Sequence, residues 1–128
     1  MGSPAALDAV TVLDFSTVGP AARCTRILAD YGATVIKVGA PARAGSVQMD
    51  APFHAYGGGR GMKRVRIDLK AAAGRAALLR LGAGADVAIE SFRPGVAARL
   101  GVGFEDFRRV NGRIVYCSTS GYGQAGDR

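Results

Sequence analysis

VTVLDFSTVGPAARCTRILADYGATVIKV, residues 10–38, decides the fold. Its first segment, VTVLDFS (10–16), is short, apolar and rich in β-branched residues, so it reads as a strand. GPAARCTRILADYG (19–32) follows. Pro20 suits a first helical position and Gly32 a stop. Cys24, Ile27, Leu28 and Tyr31 fall at i, i+3, i+4 and i+7, which places them on one helical face, with Arg23, Arg26 and Asp30 opposite. TVIKV (34–38) is a second strand. A strand, a helix and a strand in about thirty residues form the unit from which parallel sheets are built.

The same alternation continues. RVRIDL (64–69) is predicted as a third strand, KAAAGRAALLRLGAGA (70–85) as a helix anchored by Leu78, Leu79 and Leu81, and DVAIESF (86–92) as a fourth strand. RPGVAARLG (93–101) reads as a turn and short helix. In GFEDFRRVNG (103–112), Phe104, Phe107 and Val110 line one side. Glu105 and Asp106 open that helix and Arg108 and Arg109 close it, as the helix dipole favours. RIVYCSTS (113–120) is the fifth strand. The expectation is an α/β domain: a parallel sheet of about five strands, joined by right-handed crossovers and covered by helices on both faces. No internal repeat or second domain is evident.

Such sheets bind ligands beyond the carboxyl ends of their strands, where strand order reverses. That nominates four loops: STVGPA, GAPARAG, ESFRPG and STSGYGQ. The first could hold phosphate at a helix N-terminus. It is not G-x-G-x-x-G, and Gly39 stands where a dinucleotide site needs an acid, so an NAD site is disfavoured. YGGGRGMKR (56–64) could clamp phosphates through Arg60, Lys63 and Arg64, or be a loop entering an edge strand. His54, the single histidine, reads as a surface loop residue. Phe92 could pack on a planar base and Arg93 or Arg99 pair with phosphate. The bland alternative makes Phe92 core and Arg99 solvated. Asp68 and Glu90, at strand ends, stay open as candidate carboxylates.

Composition sets outer limits. The 128 residues carry a net charge of +7 and 19 glycines, about twice the usual ~7% share. The basic residues are scattered and have no interleaved aromatics, which favours a phosphorylated small molecule, or plain solubility, over nucleic acid. No run approaches the ~20 apolar residues of a membrane span, and no secretory signal is visible. Cys24 and Cys117 fit no metal spacing and read as reduced, mostly buried thiols of a cytoplasmic protein. No nucleophile triad or metal cluster emerges.

ADYGATVIKV, R-x-D-L-K at 66–70, ADVAIESFRPGVAARLG and YCSTSGYGQAG, in this order and spacing, resemble the N-terminal part of the family III coenzyme A transferases, the CaiB/BaiF family that includes α-methylacyl-CoA racemases. The likeness is weakest between about residues 39 and 60. It implies a Rossmann-like domain over residues 1–128 and coenzyme A or an acyl-CoA as ligand, without a metal. Carried over, the nucleotide contacts fall on Ile67, Leu69, Lys70, Ser91, Phe92, Arg93 and Arg99. The family's catalytic aspartate, and the histidine of the racemases, lie beyond the GYGQ-x-G turn, so no catalytic residue is assigned. The resemblance thus implies a truncated or split transferase or racemase homologue, inactive alone, completed by a second polypeptide or by a homo-oligomer. The alternative is a non-catalytic acyl-CoA-binding or regulatory module. Ala71 stands where the family usually has a serine cap.

Overall fold

The computed structural model describes residues 3–16, 19–42 and 61–127. Nine elements follow in order: β1 (Thr11–Asp14), α1 (Pro20–Asp30), β2 (Thr34–Gly39), β3 (Lys63–Arg66), α2 (Ala72–Ala83), β4 (Val87–Glu90), α3 (Val96–Leu100), α4 (Phe104–Val110) and β5 (Val115–Ser118). The five strands form one sheet in the order β3-β2-β1-β4-β5, and every pairing is parallel. The expected α/β class is therefore the observed one.

β1 is central because it is apolar on both faces, as a strand buried in a parallel sheet must be. Alternate residues leave it in opposite directions. Val12 joins a core with Ala21, Ala33, Val35 and Ile89 on the α1 side. Leu13 joins Phe15, Val38, Leu78, Val102 and Phe107 on the side of α2, α3 and α4. Register holds this arrangement: Leu13 lies opposite Ile36 of β2 and Ala88 of β4.

Several expectations change. The buried residues of α1 are Ala21, Ala22 and Thr25, and of the predicted face only Leu28 packs, half-buried, against the core, whereas Cys24, Ile27 and Tyr31 are exposed. Small residues let the helix sit close to the strands, and Thr25 reaches a polar partner beneath it. Cys24 is thus an exposed thiol and Cys117 a half-buried one, contrary to the mostly buried reading. On α4 only Phe107 is buried, while Phe104 and Val110 are largely exposed. β3 ends at Arg66, three residues before the predicted end of the strand. His54, Arg60 and most of the long glycine-rich stretch lie outside the described residues.

Candidate functional site

The chain finishes β1, β2 and β3 on one side of the sheet and then crosses to build β4 and β5 on the other. The reversal lies between β1 and β4, and the carboxyl ends of the strands diverge there. A cavity of about 600 Å³ opens above these ends. Phe15 and Ser16 wall it after β1, Val38 to Ala42 at the end of β2, Ile67 to Lys70 after β3, and Phe92 after β4. Leu100, at the end of α3, completes the wall.

The turn after β3 is tightly specified. Ile67 N donates to Gly39 O at 2.9 Å, the last ladder bond before the chain leaves the sheet. Asp68 Oδ1 accepts from Lys70 N at 2.9 Å, and Asp68 O accepts from Ala71 N at 3.2 Å. The aspartate thus bends its own backbone, as Asx turns do. The first turn of α2 presses on this bend. A Cβ at Gly74 would lie 1.8 Å from Asp68 O, so only glycine permits the approach. Asp68 was open as a catalytic carboxylate; in the structure it shapes the turn.

Phe92 packs against the core, as its bland reading expects, and also faces the cavity. Its ring lies 6.0 Å from that of Phe15, which stacks at 5.7 Å on Phe107 in the core. The same ring lines the cavity. The aromatic column therefore fixes the wall against the α2–α4 core, and such pairs add to the area they bury.

Beneath the cavity lies a polar cluster. Asp14 is fully buried and Lys37 nearly so. Lys37 Nζ donates to Asp14 Oδ2 at 3.0 Å, to Ser16 O at 3.0 Å and to Ser16 Oγ at 3.2 Å. Asp14 also accepts from Thr25 Oγ1 at 2.7 Å, Ser16 N at 2.9 Å and Ser16 Oγ at 2.5 Å. Buried charge is tolerable only when paired and hydrogen-bonded in this way. The cluster joins β1, β2 and α1 and holds the chain that leads from Asp14 to Ser16.

Glu90 plays the matching part on the other side. It is buried at the end of β4, with Oε2 accepting from Phe92 N at 2.7 Å and Oε1 from Ser118 Oγ. Its carbonyl accepts from Thr119 N at 3.0 Å, and Gln124 Nε2 donates to Ser118 Oγ at 2.8 Å. The STSGYGQ loop is therefore organised around Glu90. A second cavity, of about 410 Å³, lies here between Glu90, Arg93, Phe104, Tyr116, Ser118 and Gln124. Tyr116 donates to Val102 O at 3.2 Å. Burial, then the charges of Glu90 and Asp106, push its phenol well above the ordinary range, so it stays protonated.

Of the seven nucleotide contacts implied by resemblance, Ile67, Leu69, Lys70 and Phe92 line the larger cavity and Arg93 the second. Ser91 and Arg99 line neither. Arg99 is exposed and folds back on its own turn, with Nη1 3.1 Å from where a Cβ on Gly95 would stand. Ser16 opens the nominated STVGPA loop and Phe15 directly precedes it, while sequence reasoning missed Lys37 and Leu100. Lys37 did carry a signal, a lone cation within an otherwise apolar strand. Among the described residues no group of three or more His, Cys, Asp or Glu side chains could hold a metal ion.

The profile of CoA-transferase family III matches residues 7–128. The chain belongs to that family. Human α-methylacyl-CoA racemase is 37% identical to it over 121 residues, covering 94% of this chain and 30% of the racemase. The acetyl-CoA:oxalate CoA-transferase of Acetobacter aceti is 34% identical over 125 residues, covering 93% of this chain and 32% of the transferase. The crystal structure of Rv3272 from Mycobacterium tuberculosis superposes with a TM-score of 0.85 at 37% identity, over 98% of this chain and 36% of that one. A CaiB/BaiF family protein from Brucella suis matches with a TM-score of 0.83 at 30% identity, over 98% and 36% respectively. This family III chain thus spans about a third of the length of the relatives it matches.

Proposed function

We propose that these residues are the coenzyme A nucleotide-binding part of a family III enzyme that acts on acyl-CoA thioesters, as a transferase or a racemase. The observation that carries this reading is the 600 Å³ cavity at the strand-order reversal of a chain in this family. Its walls are mainly apolar, with Phe15 and Phe92 side by side and Lys70 at the rim, which suits a flat base with phosphates reaching outward. Lys70 and the net charge of +7 favour a ligand with several negative charges. Ile67, Leu69 and Phe92 would enclose the base, and Lys70 and Arg93 would meet phosphate.

Among the described residues, the carboxylates at the two cavities already have other tasks. Asp14, Asp68 and Glu90 are each engaged in holding backbone. The 128-residue chain by itself is expected to bind coenzyme A and to show no turnover. Titration with coenzyme A in a calorimeter tests the first point. Saturable heat is the expected result, and no heat at millimolar ligand would refute the reading. Robust acyl-CoA turnover by the chain alone would place catalytic residues inside it and refute the second point.

A further inference from the structure

Arg75 belongs to none of the contacts implied by family resemblance, yet it is hydrogen-bonded to one side of the cavity and passes beside the other. It projects from the first turn of α2. Its Nη1 donates to Lys70 O at 2.9 Å and to Leu69 O at 3.3 Å. Those carbonyls belong to the turn whose side chains line the cavity after β3. The stem of Arg75 lies over the end of α3. Gly101 caps that helix with φ of +77°, and a Cβ there would stand 3.7 Å from Arg75 Cδ and 3.9 Å from Nε. Leu100, the residue before Gly101, lines the cavity from that side.

We propose that Arg75 is a positioning residue, a brace that joins the Leu69–Lys70 turn to the Leu100–Gly101 turn and sets the width of the nucleotide cavity. Three features support this. A guanidinium gives strong, charge-assisted hydrogen bonds to carbonyl oxygens. Both accepting carbonyls lie in a turn bent by Asp68, and neither appears in the strand ladders. The stem of Arg75 passes beside Gly101, whose φ of +77° turns the chain at the end of α3 and favours glycine. Lys70 is then aimed by its own backbone, and that backbone is held by Arg75.

The proposal rests on the coenzyme A reading of the cavity, and its test separates the two. Arg75→Met keeps the stem and removes the donors. It is expected to speed amide hydrogen exchange at residues 69–71 while the rest of α2 keeps its protection. It should weaken coenzyme A and adenosine alike, by about tenfold each, measured by titration. Unchanged exchange at 69–71, or wild-type affinity for both ligands, would overturn the brace. A loss confined to coenzyme A, with adenosine unaffected, would also overturn it, because the guanidinium would then be touching phosphate directly. If Arg75→Met does not fold, Arg75→Lys takes its place. It retains charge and stem with a point donor, and should give a smaller loss on both ligands; wild-type behaviour in that variant would overturn the proposal. A wild-type chain that binds no coenzyme A would instead refute the functional reading, and the exchange measurement would still decide the brace.

Discussion

Lys37 is a cation in a strand that is otherwise Thr, Val, Ile and Val, and it is buried to within 5% of its side-chain surface against an Asp14 that is wholly buried. Two charges removed from water cost several kcal/mol each, and their attraction offsets this only when further hydrogen bonds complete the geometry. Here Thr25, Ser16 N and Ser16 Oγ supply those bonds to Asp14, and Ser16 supplies two acceptors to Lys37. Removing one partner leaves the other charge stranded. Lys37→Met is expected to lower the unfolding free energy by about 3–5 kcal/mol, read from chemical denaturation. Lys37→Met combined with Asp14→Leu should recover much of that loss, because no charge is then buried alone. A single variant as stable as wild type would mean that the pair contributes nothing to the fold. TVIKV reads as a strand from its pattern, but a lysine inside it identifies no partner. The partner sits 23 positions earlier and is brought near only by the parallel pairing of β1 with β2.

At the level of elements, all nine described segments were legible as helix or strand, and the misreadings share a cause. α1 offers two stripes, one large and apolar (Cys24, Ile27, Leu28, Tyr31), of which only Leu28 meets the core, and one small (Ala21, Ala22, Thr25). Hydrophobic spacing selects the first. Close approach to the sheet and the Thr25–Asp14 bond select the second. The sequence reading makes β3 too long because Ile67 and Leu69 look like strand residues, whereas the Asp68 turn ends the ladder at the Ile67 N–H and gives both side chains to the cavity. The same turn leads into α2, whose N-cap is Ala71, in extended conformation and without a side-chain cap. No side chain at the cap meets the orphan N–H groups of the first turn. Ala71 is exposed, so a hydroxyl fits without repacking. Ala71→Ser should stabilise the fold by about 0.5–1 kcal/mol, seen as a higher denaturation midpoint at unchanged slope. No gain would mean that water already caps the helix equally well.

For the molecule as a whole, the two sheet edges differ. β3 presents Lys63, Arg64 and Arg66, charges that discourage pairing with another chain. β5 reads VYCS and carries no charge, and Val115 is 62% exposed. Apolar side chains are exposed elsewhere too, with Ile27 at 50% and Tyr31 at 60% on α1. The cores that the sequence pattern foretold do form on both faces, through Val12 on one and Leu13 on the other. The outer surface was less legible, because periodicity identifies apolar positions without showing which of them find a neighbour. An uncharged open edge, though only four residues long, together with exposed apolar positions favours self-association. Light scattering on the isolated chain should therefore show a mass that rises with concentration. Val115→Lys puts a charge on the uncharged edge and should move the population toward monomer, while Ile27→Lys should act separately through α1. The larger response identifies the surface that carries the association. A wild-type chain that stays monomeric at high concentration would show that neither surface is sticky enough to matter.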